Sequence, residues 1–190
     1  MTAPVPSRTL VVANVLLYEI GWFATVLGAA AHHAWLGPAV TIPIVAWHLR
    51  AAQSAWREAM LIVAVTLLGG TLDALLVVRG WLVFPDAGVR PGLQPWWMLA
   101  LWTQFATTLN LGLRWLRARP ALAVALAAVG APLAYAGGAR LGAVSLVAPG
   151  PALTALALGW PLVLLAALAL ARTLDGYRGD GRPVPAGAAA

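Results

Sequence analysis

The sequence predicts an all-α integral membrane protein: a compact bundle of about six transmembrane helices, with a short interfacial or half-helix before the last span. Three observations carry this. The 190 residues are 62% hydrophobic and only 9% charged, and the mean hydropathy is +0.84, far from the balance of a soluble domain. Apolar residues fall in runs close to the ~20 that a helix needs to cross a bilayer. The net charge of +6 comes from arginine alone, and the arginines cluster at the ends of those runs.

The spans are expected near 9–31, 36–51, 58–79, 95–117, 119–138 and 152–172. The first is longer than a leader's apolar core and carries Glu19 and Trp22, so no cleavable signal peptide is expected. The second is short and contains Pro43, which tilts or kinks it. The segment 141–148 is too short to span and ends at Pro149-Gly150-Pro151, which reads as a half-helix or interfacial helix on one side. Residues 1–175 then form one transmembrane domain, and 176–190, rich in Gly, Pro and Ala, form a disordered cytoplasmic tail.

Arginine placement orients the bundle in its membrane. With both termini cytoplasmic, Arg8, Arg50, Arg57, Arg114, Arg117, Arg119, Arg172, Arg178 and Arg182 lie inside, and only Arg79, Arg90 and Arg140 outside. That bias follows the positive-inside rule and an even number of spans. The same placement reads the basic charge as lipid-headgroup contact, not nucleic-acid binding. Tryptophans mark the boundaries: Trp35, Trp81, Trp96 and Trp97 outside, Trp47, Trp56 and Trp115 inside.

Polar residues inside the spans define the candidate site. Asp73 is the lone charge in the run 60–78, and Glu19 holds a similar place in span one. A carboxyl at membrane depth is costly unless paired, hydrated or protonated, so each is a functional candidate. By helical rise Glu19 lies about 15 Å, Gln104 about 19 Å and Asp73 about 22 Å from the cytoplasmic ends, with Tyr135 near Asp73. Arg79 and Arg140 are the basic groups expected to reach this layer of two acids, Glu19 and Asp73, from the outer interface.

Thr103, Thr107, Asn110 and Arg114 share one face of span four, widened by Gln104 and Thr108. Asn14, Tyr18, Gly21, Trp22 and Thr25 line span one, and Glu58, Ile62, Thr66, Gly69 and Asp73 line span three. These faces are expected to meet, because lipid cannot satisfy their hydrogen bonds. Asn14, Asn110 and Arg114 form a second, more cytoplasmic layer, whereas Glu58 and Arg57 are expected at the interface in contact with water. Small and polar residues such as Gly69, Gly70, Thr107 and Asn110 also serve as ordinary helix-to-helix glue.

No cofactor and no metal are expected. Cysteine is absent; His32 and His33 diverge by about 100° on a helix; and no HExxH, histidine-box, phosphate-loop or nucleophile-elbow pattern occurs.

Several stretches resemble a family of bacterial inner-membrane proteins, the domain of unknown function twenty-eight seventy-eight. They are Asn14-Val-Leu-Leu-Tyr-Glu-Ile-Gly-Trp-Phe23, Gly70-Thr-Leu-Asp73, the run from Pro95 to Asn110, and the run from Gly130 to Gly142. The resemblance spans most of 10–172. It implies an inner-membrane bundle with a connection to lipids and supplies no activity.

Three classes of function stay open on the sequence. One is a lipid-handling or proton-coupled small-molecule carrier that uses Glu19 and Asp73. Another is a membrane enzyme acting on a lipid or isoprenoid with those carboxyls as catalytic acid and base. The third is an accessory subunit whose polar interior only fixes packing. The expected partners are the bilayer, a lipid or small-molecule ligand, and a second copy of the chain.

Overall fold

The computed structural model describes residues 6–85 and 93–178. Arg90, Arg182 and all of the tail beyond Arg178 lie outside the described residues. Six α-helices appear in order: α1 (Arg8–Ala30), α2 (Leu36–Ala51), α3 (Ala55–Val78), α4 (Trp96–Thr108), α5 (Pro120–Leu141) and α6 (Pro149–Thr173). A 3-10 turn (Arg114–Ala118) precedes α5, and two short strands, β1 (Leu82–Val83) and β2 (Ser145–Leu146), follow α3 and α5.

Helices α1, α3, α5 and α6, of 23, 24, 22 and 25 residues, are long and apolar enough to cross a membrane. At 16 and 13 residues, α2 and α4 fall short of that length. Local chemistry sets the ends. Ser7 accepts the Leu10 N–H at the start of α1. Pro120 opens α5, where its missing N–H costs nothing, and Gly142 closes it in the left-handed region at φ 88°.

The last stretch of the expected fourth span is not α-helical. The Thr107 and Thr108 hydroxyls donate to the carbonyl oxygens of Gln104 and Phe105, competing with the helical ladder where it stops. The chain then turns through 109–113 into the 3-10 turn. The expected half-helix at 141–148 is also corrected. Past Gly142 the chain is extended, and Ser145 and Leu146 pair antiparallel with Val83 and Leu82.

That ladder brings the ends of α3 and α5 together at one end of the bundle. His48 at the end of α2, Glu58 at the start of α3, Asn110 past α4 and Gly176 past α6 meet at the other. The helices therefore alternate in direction. Two apolar clusters fill the interior: one around Leu61, Val65, Trp102, Leu109, Leu164 and Ala167, the other around Val26, Leu76, Leu82, Trp97, Tyr135 and Leu156. Trp97, expected at the interface, is instead buried edge-on against Phe84.

Candidate functional site

Asp73 is fully buried near the far end of α3. The Trp102 indole donates its Nε1 hydrogen to Asp73 Oδ2 at 2.6 Å, and the Tyr135 hydroxyl donates to Oδ1. The carboxyl is thus shared by α4 and α5, and it is neutral donors that satisfy it. Neither expected arginine reaches it: Arg79 lies over the Trp81 ring at 5.9 Å, and Arg140 is exposed.

Gly69, one turn before Asp73, makes the indole contact possible. A Cβ there would stand 2.1 Å from Trp102 Cδ2, so only glycine lets the ring lie flat on α3 and reach the acid four residues on. Gly69→Ala is expected to destabilise the bundle by about 1–3 kcal/mol through overpacking. It should also release Trp102, read as a red shift and broadening of tryptophan emission.

Trp102 stacks on Trp160 of α6 at 4.3 Å between ring centres, and Phe105 meets both rings edge-on. In front of these rings lies a cavity of about 260 Å³. Tyr18 and Trp22 of α1, Leu101 and Phe105 of α4, and Tyr135 of α5 are among its walls. The cavity exists because the face of α5 turned to it is small: Ala127, Gly130, Ala131 and Ala134. Leu126, Gly130 and Ala134 line it and are also exposed, so it opens sideways along α5. The buried Trp160 Nε1 hydrogen lies toward the Tyr135 hydroxyl without completing a well-formed hydrogen bond. A smaller void of about 50 Å³ continues past Tyr135 toward Phe84 and Val144.

A second buried polar cluster closes the opposite end. His48 Nε2 and Glu58 Oε2 are 2.8 Å apart, both side chains fully buried. Glu58 Oε1 accepts from Asn110 Nδ2 and, at 2.7 Å, from the Gly176 N–H. The Tyr177 hydroxyl donates to the His48 carbonyl oxygen at 2.7 Å, and burial with Glu58 nearby pushes its phenol pKa up. Asp175 holds Arg114 at 3.0 Å and Arg117 at 2.9 Å; burial lowers the Arg117 pKa, opposed by Asp175. Two expectations are corrected here. Glu58 is enclosed, not in contact with water, because its oxygens are taken by His48 of α2, by Asn110 past α4 and by Gly176 past α6. Gly176 and Tyr177, read as the start of a disordered tail, are buried in the same cluster.

The polar faces of α1, α3 and α4 meet as expected. Asn14 Nδ2 donates to the Thr107 carbonyl oxygen at 3.2 Å, and Asn14 Oδ1 accepts from the Gly112 N–H at 3.3 Å. Gln104 Nε2 donates to Thr25 and Thr41, tying α4 to α1 and α2, and Thr66 shares a hydrogen bond with Thr103. The candidates therefore separate into groups. Tyr18 and Tyr135 face the cavity, with Asp73 behind Tyr135. Asn14, Gln104 and Thr107 knit helices, and Asn110 and Arg114 join the closing cluster. Glu19 and Arg140 are exposed and belong to none of these groups.

Sequence reasoning missed Trp102, Trp160, His48 and Tyr177. For the two tryptophans a signal existed: each sits mid-run, away from the interfaces where indoles usually lie. No group of His, Asp or Glu able to hold a metal occurs among the described residues.

Among the described residues, four helices long and apolar enough to cross a membrane give the class, an all-helical protein of membrane type. Within that class the chain belongs to the family described as Protein of unknown function (DUF2878), whose model matches residues 11–166. No curated protein and no solved structure matches the chain.

Proposed function

We propose that this is a six-span bacterial inner-membrane protein, both termini cytoplasmic, that binds the apolar part of a lipid or isoprenoid-like molecule in the cavity beside α5. The observation that carries this reading is the cavity's sideways opening along exposed Leu126, Gly130 and Ala134, which gives access from the hydrocarbon layer. Its volume is just under the ~300 Å³ at which ordinary ligand sites begin, so it fits a chain segment and not a whole lipid. The Tyr135 oxygen, whose proton goes to Asp73, and the Trp160 N–H beside it supply a polar end suited to one hydroxyl group, which would donate to the first and accept from the second. Asp73 fixes Tyr135 and Trp102 from behind and does not line the cavity.

The test is photolabelling with an acyl chain carrying a diazirine. Labelling should concentrate on Ala127, Ala131 and Tyr135. A Cβ at Gly130 meets nothing within 4 Å, so Gly130→Phe should fold normally, helped by removing a helical glycine, while its ring fills the opening. Labelling should then fall about tenfold, the equivalent of ~1.4 kcal/mol of lost binding. Even labelling over all exposed helix faces would overturn the reading.

A second reading, an acid–base enzyme, is favoured by the direct Tyr135–Asp73 hydrogen bond at the cavity wall. There Tyr135 would touch the substrate and exchange its proton with Asp73. A lipid species altered in a deletion strain, restored by the wild type and not by Tyr135→Phe, separates an enzyme from a binder. A proton path through both acids has less support, since Glu19 faces outward from α1 and Asp73 is enclosed.

For topology, reporters fused in the connection between β1 and α4 and after Arg178 should lie on opposite sides of the membrane. Periplasmic signal from the C-terminal fusion would reject the six-span count.

A further inference from the structure

Glu19 lies midway along α1, 11 residues from either end of the helix, or about 16 Å by helical rise. Its side chain cannot span that distance to a headgroup. It is exposed, and so are Val12, Leu16, Ile20, Phe23 and Leu27 around it, at 48–61%. Other helices also carry exposed apolar faces, such as Val63 and Leu67 on α3 and Leu158 and Leu162 on α6. Those faces have no ionisable group, and plain lipid suits them.

Val12, Leu16, Glu19 and Phe23 are spaced by four, three and four residues, the seam of a helix pair with a 3.5-residue repeat. The chain has no lysine, and its described arginines sit at or near helix ends, so no arginine among the described residues matches the depth of Glu19. One group in the membrane always does: Glu19 of another copy inserted in the same orientation. A two-fold axis along the membrane normal sets like residues opposite each other, and a carboxyl that keeps its proton can both donate to and accept from its twin.

We propose that the α1 faces of two copies pack in parallel, with Val12, Leu16, Glu19 and Phe23 along the seam and the two Glu19 carboxyls hydrogen-bonded at its centre. The inference is independent of the cavity reading. It assigns Glu19 to assembly and gives the polar residue the register-setting role it has in paired helices.

The absence of native cysteine makes disulfide trapping in the intact membrane a direct test. With an added oxidant, Leu16→Cys and Phe23→Cys should give a homodimer band, and Leu67→Cys and Leu158→Cys should not. Adding Glu19→Leu to the Leu16→Cys chain should weaken association about five- to thirtyfold, the range found for hydrogen bonds between model membrane helices. Glu19→Gln should retain most of it, since amides pair reciprocally. Equal trapping on all faces, no trapping at the seam, or trapping indifferent to Glu19→Leu would overturn the proposal. Expression level and melting temperature of each variant, measured alongside, separate lost association from lost folding.

Discussion

Replacing Glu58 by leucine is expected to destabilise the protein by about 3–5 kcal/mol, since each buried hydrogen-bonding group left without its partner costs about 1–3 kcal/mol. The geometry explains the size. Glu58 receives Asn110 Nδ2 and the Gly176 N–H on one oxygen and faces His48 with the other. Leucine leaves the Gly176 N–H and His48 Nε2 enclosed without their partner and strips Asn110 Nδ2 of one of its two acceptors, the Leu174 carbonyl oxygen remaining. Glu58→Gln is the informative companion. Its amide oxygen can still accept from Asn110 and Gly176, and its NH2 faces His48 Nε2, so most of the stability should return. Ending the chain after Leu174 should mimic part of the leucine effect, because it removes Asp175, the Gly176 N–H and the Tyr177 hydroxyl together. Unfolding in mixed detergent, followed by circular dichroism, reads all three. A Glu58→Leu chain as stable as the parent would show that the cluster is not what fastens this end.

How legible this was depends on the length scale of each interaction. The helices follow from runs of apolar residues, and the meeting of α1, α3 and α4 follows from polar residues that lipid cannot satisfy. Both are local patterns, readable along one segment. Glu58 shows where such reading ends. It lies near a helix start next to Arg57, which looks like an interface in contact with water, and its enclosure comes from Gly176, 118 residues away. Nothing within the first turn of α3 encodes that return. The two-residue ladder between Val83 and Ser145 is similar, a long-range pairing too short to leave an alternating pattern.

Asp73 was legible as a deep acid because its run holds no other charge. Its partners were legible only in part. Tyr135 follows from depth along α5. Trp102 was obscured by the tendency of indoles to mark interfaces, though a mid-span indole also needs an acceptor, and Asp73 was the nearest candidate. The expectation of an arginine partner rested on charge alone. In a dry interior two neutral donors already in the helix packing answer the carboxyl without bringing a guanidinium inward.

The second large effect is expected at Asp73 itself. Asp73→Leu strands the Trp102 N–H and the Tyr135 O–H inside the bundle, at about 1–3 kcal/mol for each donor left unpaired. The variant should unfold early and lose retention of the acyl probe. Asp73→Asn should behave differently. Its oxygen accepts the Trp102 N–H as the carboxylate does, and its NH2 can donate to the Tyr135 oxygen once the hydroxyl turns away. Fold and packing survive, but the Tyr135 proton then points toward the cavity and no longer toward residue 73. A protein that only binds an apolar chain should tolerate this change and keep its photolabelling pattern. An enzyme that passes a proton between Tyr135 and Asp73 should fold, keep its label and fail to restore the lipid species missing from the deletion strain. Normal stability and normal labelling in Asp73→Leu would contradict both readings, because each depends on Asp73 to hold Tyr135 and Trp102 in place.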